Sequence, residues 1–113
     1  MSVRLEARLW WMQRLTAMFL ALFVAVHLVT IIYAVRGGLS AADVLARTQG
    51  NVAWGLFYSL FVLASSLHAA IGLRTIASEW LGWRGASANA AVALLSIALI
   101  LVGLRAVAAV VMA

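Results

Sequence analysis

Residues 15–35, LTAMFLALFVAVHLVTIIYAV, form an uncharged run that is long enough to cross a lipid bilayer as one helix. Residues 52–73 and 86–104 form two further uncharged runs of similar length. Of the 113 residues, 67% are hydrophobic and only 10% are charged, whereas a soluble domain carries about a quarter charged residues. The sequence therefore predicts a single all-α membrane domain over residues 1–113, with transmembrane helices at about residues 12–36, 51–78 and 86–112.

The distribution of arginine predicts how the chain is oriented. The net charge is +5, and every basic residue is an arginine. Arginines are more frequent in the N-terminal segment and the second connection (Arg4, Arg8, Arg14, Arg74 and Arg84) than in the first connection (Arg36 and Arg47). Since cytoplasmic loops carry the excess of basic residues, we expect a cytoplasmic N-terminus, in the inner membrane of a bacterium. The arginines lie singly at the ends of apolar runs, which argues against nucleic-acid binding and for contact with lipid headgroups.

The first connection contains the signals of one short helix. Gly37 and Gly38 interrupt the preceding run, and Ser40-Ala-Ala-Asp43 resembles a capping box with Asp in the place of Glu. We expect an interfacial helix over residues 41–47 that ends near Gly50.

Two histidines lie inside the predicted spans, where an ionisable side chain is costly and usually functional. His27 shares one helix face with Gln13, Thr16 and Thr30, and His68 shares another with Ser65, Gly72, Thr75 and Glu79. Neutral imidazole is a standard axial ligand of haem iron, and Gly72, one turn after His68, removes bulk where a macrocycle would approach. The two histidines are therefore candidate iron ligands. Packing of these faces by hydrogen bonds between helices is the alternative.

The depths of the two histidines argue against one shared iron. His27 lies about 20 Å along the helix from Arg14, and His68 lies about 9 Å from Arg74. If both arginines mark the same membrane boundary, the histidines differ in depth by about 11 Å. Two axial nitrogens on one metal are only about 4 Å apart. We therefore expect each histidine to serve a different haem, with the second axial ligand supplied by another chain or a second copy.

These residues resemble the cytochrome b membrane-anchor subunits of succinate dehydrogenase and fumarate reductase. His68, Gly72 and Arg74 form the pattern His-x3-Gly-(Leu/Ile)-Arg, and Glu79 is the acid eleven residues after the histidine, as in that family's second helix. Residues 13–17, QRLTA, are similar to the family's His-Arg-x-(Ser/Thr)-Gly. The length and the three spans also agree, so the resemblance covers nearly the whole chain.

The resemblance implies that His68 is an axial ligand of haem b and that Arg14 lies near quinone and the haem propionates. Gln13 replaces the family's histidine, Trp10 replaces a serine that helps to hold quinone in some members, and His27-Leu28 is similar to the first-helix ligand of two-haem members. One or two haems, shared with a partner chain, are implied. The candidate haem-site residues are His68, His27, Arg14, Gln13, Gly72 and Arg105. The candidate quinone-site residues are Arg14, Thr16 and Trp10.

The implied complex contains a flavoprotein that oxidises succinate or reduces fumarate, an iron–sulfur protein and a second membrane anchor or second copy. The chain has no cysteine for cluster ligation and no flavin motif, so dicarboxylate chemistry would lie in its partners. We expect Arg14 to donate a charged hydrogen bond to quinone, or else to bind lipid headgroups. Glu79 is expected to pair with Arg74 or Arg84, to contact the iron–sulfur subunit or to remain solvated. Arg105 is expected to reach the outer membrane face or the propionates of an outer haem.

Three further classes of protein are compatible with the sequence. The chain resembles in size a small oligomeric transporter, although no Asp or Glu lies inside an apolar run to couple transport. The second class is a membrane scaffold protein, and the third is a cytochrome b anchor for a different dehydrogenase.

Overall fold

The computed structural model describes residues 2–112, which fold into four helices. These are α1 (Val3–Arg36), α2 (Ala41–Thr48), α3 (Val52–Trp80) and α4 (Ala86–Val111). Residues 2–112 contain no strand. Three of the helices, α1, α3 and α4, are long and apolar enough to cross a membrane, so the predicted all-α fold with three such helices is confirmed.

The helix α3 lies between α1 and α4 and packs against both. The described part of the chain is an elongated bundle of 49 × 23 × 23 Å, so its ends extend beyond a hydrocarbon layer of about 30 Å. Large apolar side chains cover the outside of the bundle, among them Leu22, Val29 and Val102. The buried side chains are mostly small, such as Ala70 and Ala88. Small residues between helices and large apolar residues outside are typical of membrane bundles.

One glycine sets the distance between α3 and α4. A Cβ atom added at Gly103 of α4 would overlap the side chain of Val62 on α3. The absence of that Cβ lets the two backbones approach each other closely, as small residues do at membrane helix interfaces.

The helix α2 closes one end of the bundle. The Ser40 hydroxyl accepts a hydrogen bond from the Asp43 backbone N–H at 3.1 Å and donates one to the Asp43 carboxylate at 2.6 Å, which confirms the predicted cap. The helix includes Thr48, one residue more than predicted, and Gly50 follows with a φ of +68°. The Thr48 hydroxyl donates to the carbonyl of Val110 at 2.7 Å. The Gly50 N–H donates to the carbonyl of Val111 at 2.7 Å, so this segment satisfies carbonyls at the end of α4.

A polar clamp at the opposite end joins the three long helices. The Arg74 guanidinium on α3 donates to both carboxylate oxygens of Glu6 on α1, at 2.8 and 3.5 Å. Its Nε donates to Oδ1 of Asn89 on α4 at 2.8 Å. The Arg74 side chain is only 11% exposed, whereas the Glu6 side chain is 51% exposed. We call Glu6, Arg74 and Asn89 the polar clamp.

The close approach at Gly103 yields a first prediction. We expect Gly103→Ala to destabilise the bundle by about 1–3 kcal/mol, because the new methyl group overfills the interface with Val62. The double variant Gly103→Ala with Val62→Ala lacks the opposing methyl groups. It should recover most of the stability that Gly103→Ala loses. The measurement is the midpoint of thermal loss of helicity in dodecyl maltoside. Equal midpoints for the wild-type chain and Gly103→Ala would contradict this packing.

The polar clamp yields a second prediction. Arg74→Leu should cost about 1–3 kcal/mol, because it removes the part-buried hydrogen bond that Arg74 donates to Asn89. Glu6→Gln should cost less than about 1 kcal/mol, because the Glu6 side chain is half exposed to solvent. Both values would come from thermal unfolding followed by circular dichroism at pH 7.

The effect of Glu6 should also depend on pH. Glu6 lies before the apolar run, and its hydrogen bond from Arg74 lowers the pKa of its carboxyl below the ordinary value. The stabilisation is therefore present above the ordinary pKa and is lost as the pH falls through the lowered one. The difference in unfolding midpoint between wild type and Glu6→Gln should shrink with acidification. A difference that grows at low pH would argue against the ion pair.

Candidate functional site

A contact between α1 and α3 connects the two predicted polar faces. The Oγ1 atom of Thr16 lies 3.1 Å from Nδ1 of His68. The Thr16 residue is buried, with 8% of its surface exposed. Its hydroxyl donates to the carbonyl of Met12 at 2.8 Å and lies 3.1 Å from the carbonyl of Gln13, a second acceptor. We call Thr16 and His68, with the neighbouring Gln13 and Gly72, the histidine–threonine site.

The hydrogen bonds of the Thr16 hydroxyl bear on which nitrogen of His68 carries the proton. A hydroxyl has one proton to donate, and the helix carbonyls of Met12 and Gln13 lie within its reach. With that proton on a helix carbonyl, the Thr16 oxygen can accept from His68 Nδ1–H across the 3.1 Å contact. A neutral imidazole protonated at Nδ1 has its Nε2 lone pair free. Within residues 2–112, Nε2 forms no hydrogen bond, and a lone pair of this kind is what a metal binds.

Gln13 and Gly72 lie beside this pair. A Cβ atom at Gly72 would lie 3.5 Å from Nε2 of Gln13, so this glycine faces α1 across the bundle. The Oε1 atom of Gln13 is buried and has no hydrogen-bond partner among the described residues. The structure therefore brings together four of the candidate residues and leaves one polar atom there unsatisfied.

His27 lies at a different level of the bundle. Its ring packs edge-on against Phe61 and Tyr58 of α3, with centroid separations of 5.4 and 5.9 Å. Phe61 precedes His68 by seven residues, or about 10 Å along a helix. His27 of α1 thus packs against α3 at a level different from that of His68, in agreement with the difference in depth inferred from the sequence.

A groove lies beside His27 and has a volume of about 410 Å³. The groove is formed by α1, α2, α3 and α4, and Thr48, Ser65 and Gly103 are among its lining residues. The Nδ1 atom of His27 is buried and has no hydrogen-bond partner in residues 2–112. A buried polar atom without a partner is unfavourable, and in this respect His27 differs from His68, whose Nδ1 atom lies 3.1 Å from Thr16 Oγ1.

Arg14 and Trp10 lie on the outside of α1. The Arg14 Cζ atom is 4.8 Å from the centroid of the Trp10 ring, which is a cation–π contact. Both residues are exposed, whereas Thr16 is buried against His68. The three candidate quinone residues are therefore divided between two faces of α1. The Thr16 hydroxyl donates to the Met12 carbonyl of its own helix.

The predicted pairing of Glu79 is wrong for both arginines. Arg74 pairs with Glu6, and Arg84 donates to the backbone carbonyl of Ser78 at 3.3 Å. Glu79 is exposed and forms no ion pair within residues 2–112. Its position five residues after Arg74 explains the result, because helix neighbours pair at a spacing of three or four.

Arg105 is exposed on α4, two residues after Gly103, and so lies near the level of the groove beside His27.

No cluster of three or more His, Cys, Asp or Glu side chains occurs among the described residues. A single histidine can serve as a haem ligand without such a cluster. Glu6 and Asn89 were not predicted from the sequence, because their role depends on how three helices are arranged around Arg74.

Comparisons with known proteins place the chain in a family. Neither the curated proteins nor the solved structures contain a match. A comparison with protein families matches residues 1–105 to the succinate dehydrogenase/fumarate reductase transmembrane subunit. Together with its three long apolar helices, this makes the chain an integral membrane protein and favours an anchor subunit over a transporter or a scaffold protein. The chain belongs to the family of succinate dehydrogenase and fumarate reductase transmembrane subunits.

Proposed function

We propose that this chain is a haem b-binding anchor subunit of a succinate:quinone oxidoreductase, and that His68 is an axial ligand. The observation that carries the proposal is the hydrogen bond between His68 Nδ1 and Thr16 Oγ1. With Nδ1–H as the donor in this bond, Nε2 is the unprotonated nitrogen that haem ligation requires. Family membership supports association with the other subunits of such a complex.

The chemistry of the donor set fits haem b. When bound, haem accepts and releases one electron at a time, which suits transfer between an iron–sulfur protein and quinone. This chain supplies one imidazole at the level of Thr16, so a partner anchor or a second copy supplies the opposite ligand. The flavoprotein and iron–sulfur subunits carry the dicarboxylate chemistry, and the anchor holds them at the cytoplasmic face of a bacterial inner membrane.

Arg14 is the residue that we propose for quinone binding. Its guanidinium is exposed on α1 and is held against the face of Trp10. A quinone carbonyl gains negative charge on reduction, and a charged donor stabilises that oxygen more than a neutral one does. The Trp10 ring provides an apolar surface beside the same guanidinium. Thr16 is buried and contacts His68. We therefore assign it a role at the histidine and not a contact with quinone.

His27 is the ligand that we propose for a second haem, in the outer half of the membrane. Its buried and unsatisfied Nδ1 lies beside a groove lined by three other helices. A bound group at this position would compensate for the burial of the ring. Arg105, exposed near the same level, is the cation available for propionates of that haem.

The haem assignment is tested by spectra of the purified complex. Dithionite-reduced minus oxidised spectra and pyridine haemochrome quantitation should show two haems b in the wild-type complex. His68→Ala should remove one of them and His27→Ala the other, because each variant deletes the iron ligand at one level. Thr30→Ala is the control, because the Thr30 hydroxyl donates to a backbone carbonyl of α1 and forms no hydrogen bond with a histidine ring within residues 2–112.

The outcomes separate the two histidines. One haem that is lost only with His68→Ala would overturn the role of His27. A full haem content in His68→Ala complexes would overturn the main assignment, provided that all subunits co-purify.

The quinone assignment is tested by kinetics. Arg14→Leu should raise the KM for quinone by roughly 10-fold or more, because a hydrogen bond to a charged group contributes about 1.5–3 kcal/mol. Reduction of a water-soluble acceptor by the flavoprotein should not change. Arg8→Leu removes another exposed arginine of α1 and serves as the charge control. An equal rise in KM for both variants would show a surface-charge effect and contradict a specific role of Arg14.

A further inference from the structure

The hydroxyl of Thr16 is held in one orientation by its own helix. It donates to the carbonyl four residues earlier, that of Met12, at 2.8 Å. A β-branched side chain in a helix has few rotamers, and the bond to the carbonyl of the preceding turn selects among them. The oxygen lone pairs are thereby directed to α3, where His68 lies 3.1 Å away.

No other described residue takes this place. Thr16 is the hydrogen-bond partner of the His68 ring within residues 2–112. The nearby Gln13 amide faces Gly72 at the next turn of α3 and does not bond to the ring. Removal of the Thr16 hydroxyl would therefore leave His68 Nδ1–H without an acceptor among these residues, and nothing would then favour the Nδ1–H tautomer over the Nε2–H tautomer.

We infer that Thr16 is a positioning residue that holds His68 as the Nδ1–H tautomer, with Nε2 unprotonated and the ring fixed for iron. The inference rests on the proposed haem ligation by His68. A hydrogen bond from the second ring nitrogen fixes the orientation of a ligating histidine and raises its basicity. Here the acceptor is a neutral hydroxyl on a neighbouring helix, so the α1–α3 interface itself determines the state of the ligand.

Two substitutions separate the hydroxyl from the shape of the side chain. Thr16→Val keeps the branched shape and removes the oxygen, whereas Thr16→Ser keeps the oxygen and removes a methyl group. Thr30 of α1 also donates to a carbonyl of its own helix, that of His27, at 2.7 Å. Thr30→Val is therefore the matched control, because it removes a similar hydroxyl that forms no hydrogen bond with a histidine ring within residues 2–112.

The first measurement needs no haem. The full chain in lipid nanodiscs, with ¹⁵N-labelled histidine and a His27→Gln background, gives ring signals from His68 alone by solid-state NMR. At a pH where the imidazole is neutral, wild type, Thr16→Ser and Thr30→Val should show the proton on Nδ1. Thr16→Val should show a mixture of tautomers. A proton on Nε2 in the wild type, or no change in Thr16→Val, would overturn the inference.

The second measurement uses the assembled complex. Haem titration into the apo complex should show an affinity about 10-fold lower in Thr16→Val, since loss of such a partner costs about 10–100-fold. The reduction potential of the haem at His68 should shift in this variant and not in Thr16→Ser or Thr30→Val. Unchanged affinity and potential in Thr16→Val would overturn the inference while haem ligation by His68 stands. Absence of haem in every complex would overturn the proposed function, and the NMR result would still decide whether Thr16 sets the tautomer.

Discussion

A polar side chain inside a lipid bilayer has no water to bind, and this constraint explains how the three long helices are arranged. Each buried polar group must find a partner in the same helix, in a neighbouring helix or in a bound group. Thr16 has partners in two helices, since its hydroxyl donates to a carbonyl of its own helix and lies 3.1 Å from Nδ1 of His68. The helix α1 is thus fixed in rotation against α3 by a hydrogen bond, while most of its large apolar side chains face outwards.

The same constraint gives α3 its central position. One end of α3 carries Arg74, whose guanidinium binds both α1 and α4, and its middle carries Val62, against which α4 approaches at Gly103. Apolar packing alone discriminates weakly between helix rotations in lipid, because lipid tails are as apolar as leucine. The polar clamp and the close contact at Gly103 favour one rotation of the helices over others. His68 lies between the two contacts along α3, after Val62 and before Arg74.

The sequence predicted the features that depend on one helix at a time. The apolar runs, the Ser40 cap and the polar faces of α1 and α3 follow from local spacing, and the structure contains all of them. The Thr16–His68 pair unites two of those faces, but spacing within a helix does not determine which two side chains meet. The partner of Arg74 was missed for the same reason. Glu6 is 68 positions away in the chain, whereas Glu79 is near in sequence but on another side of the helix.

The two histidines differ in what the chain alone provides for them, and this difference bears on assembly. His68 has Thr16 as the partner of its Nδ1, so a contact between two helices of this chain already holds the ring. His27 has a buried nitrogen without a partner among residues 2–112, and its ring packs against Phe61 and Tyr58. Burial of that nitrogen costs free energy, so a group that binds it would stabilise the bundle. The position of the His68 ring is therefore set within the chain, whereas the cost at His27 would be reduced by a group from outside residues 2–112.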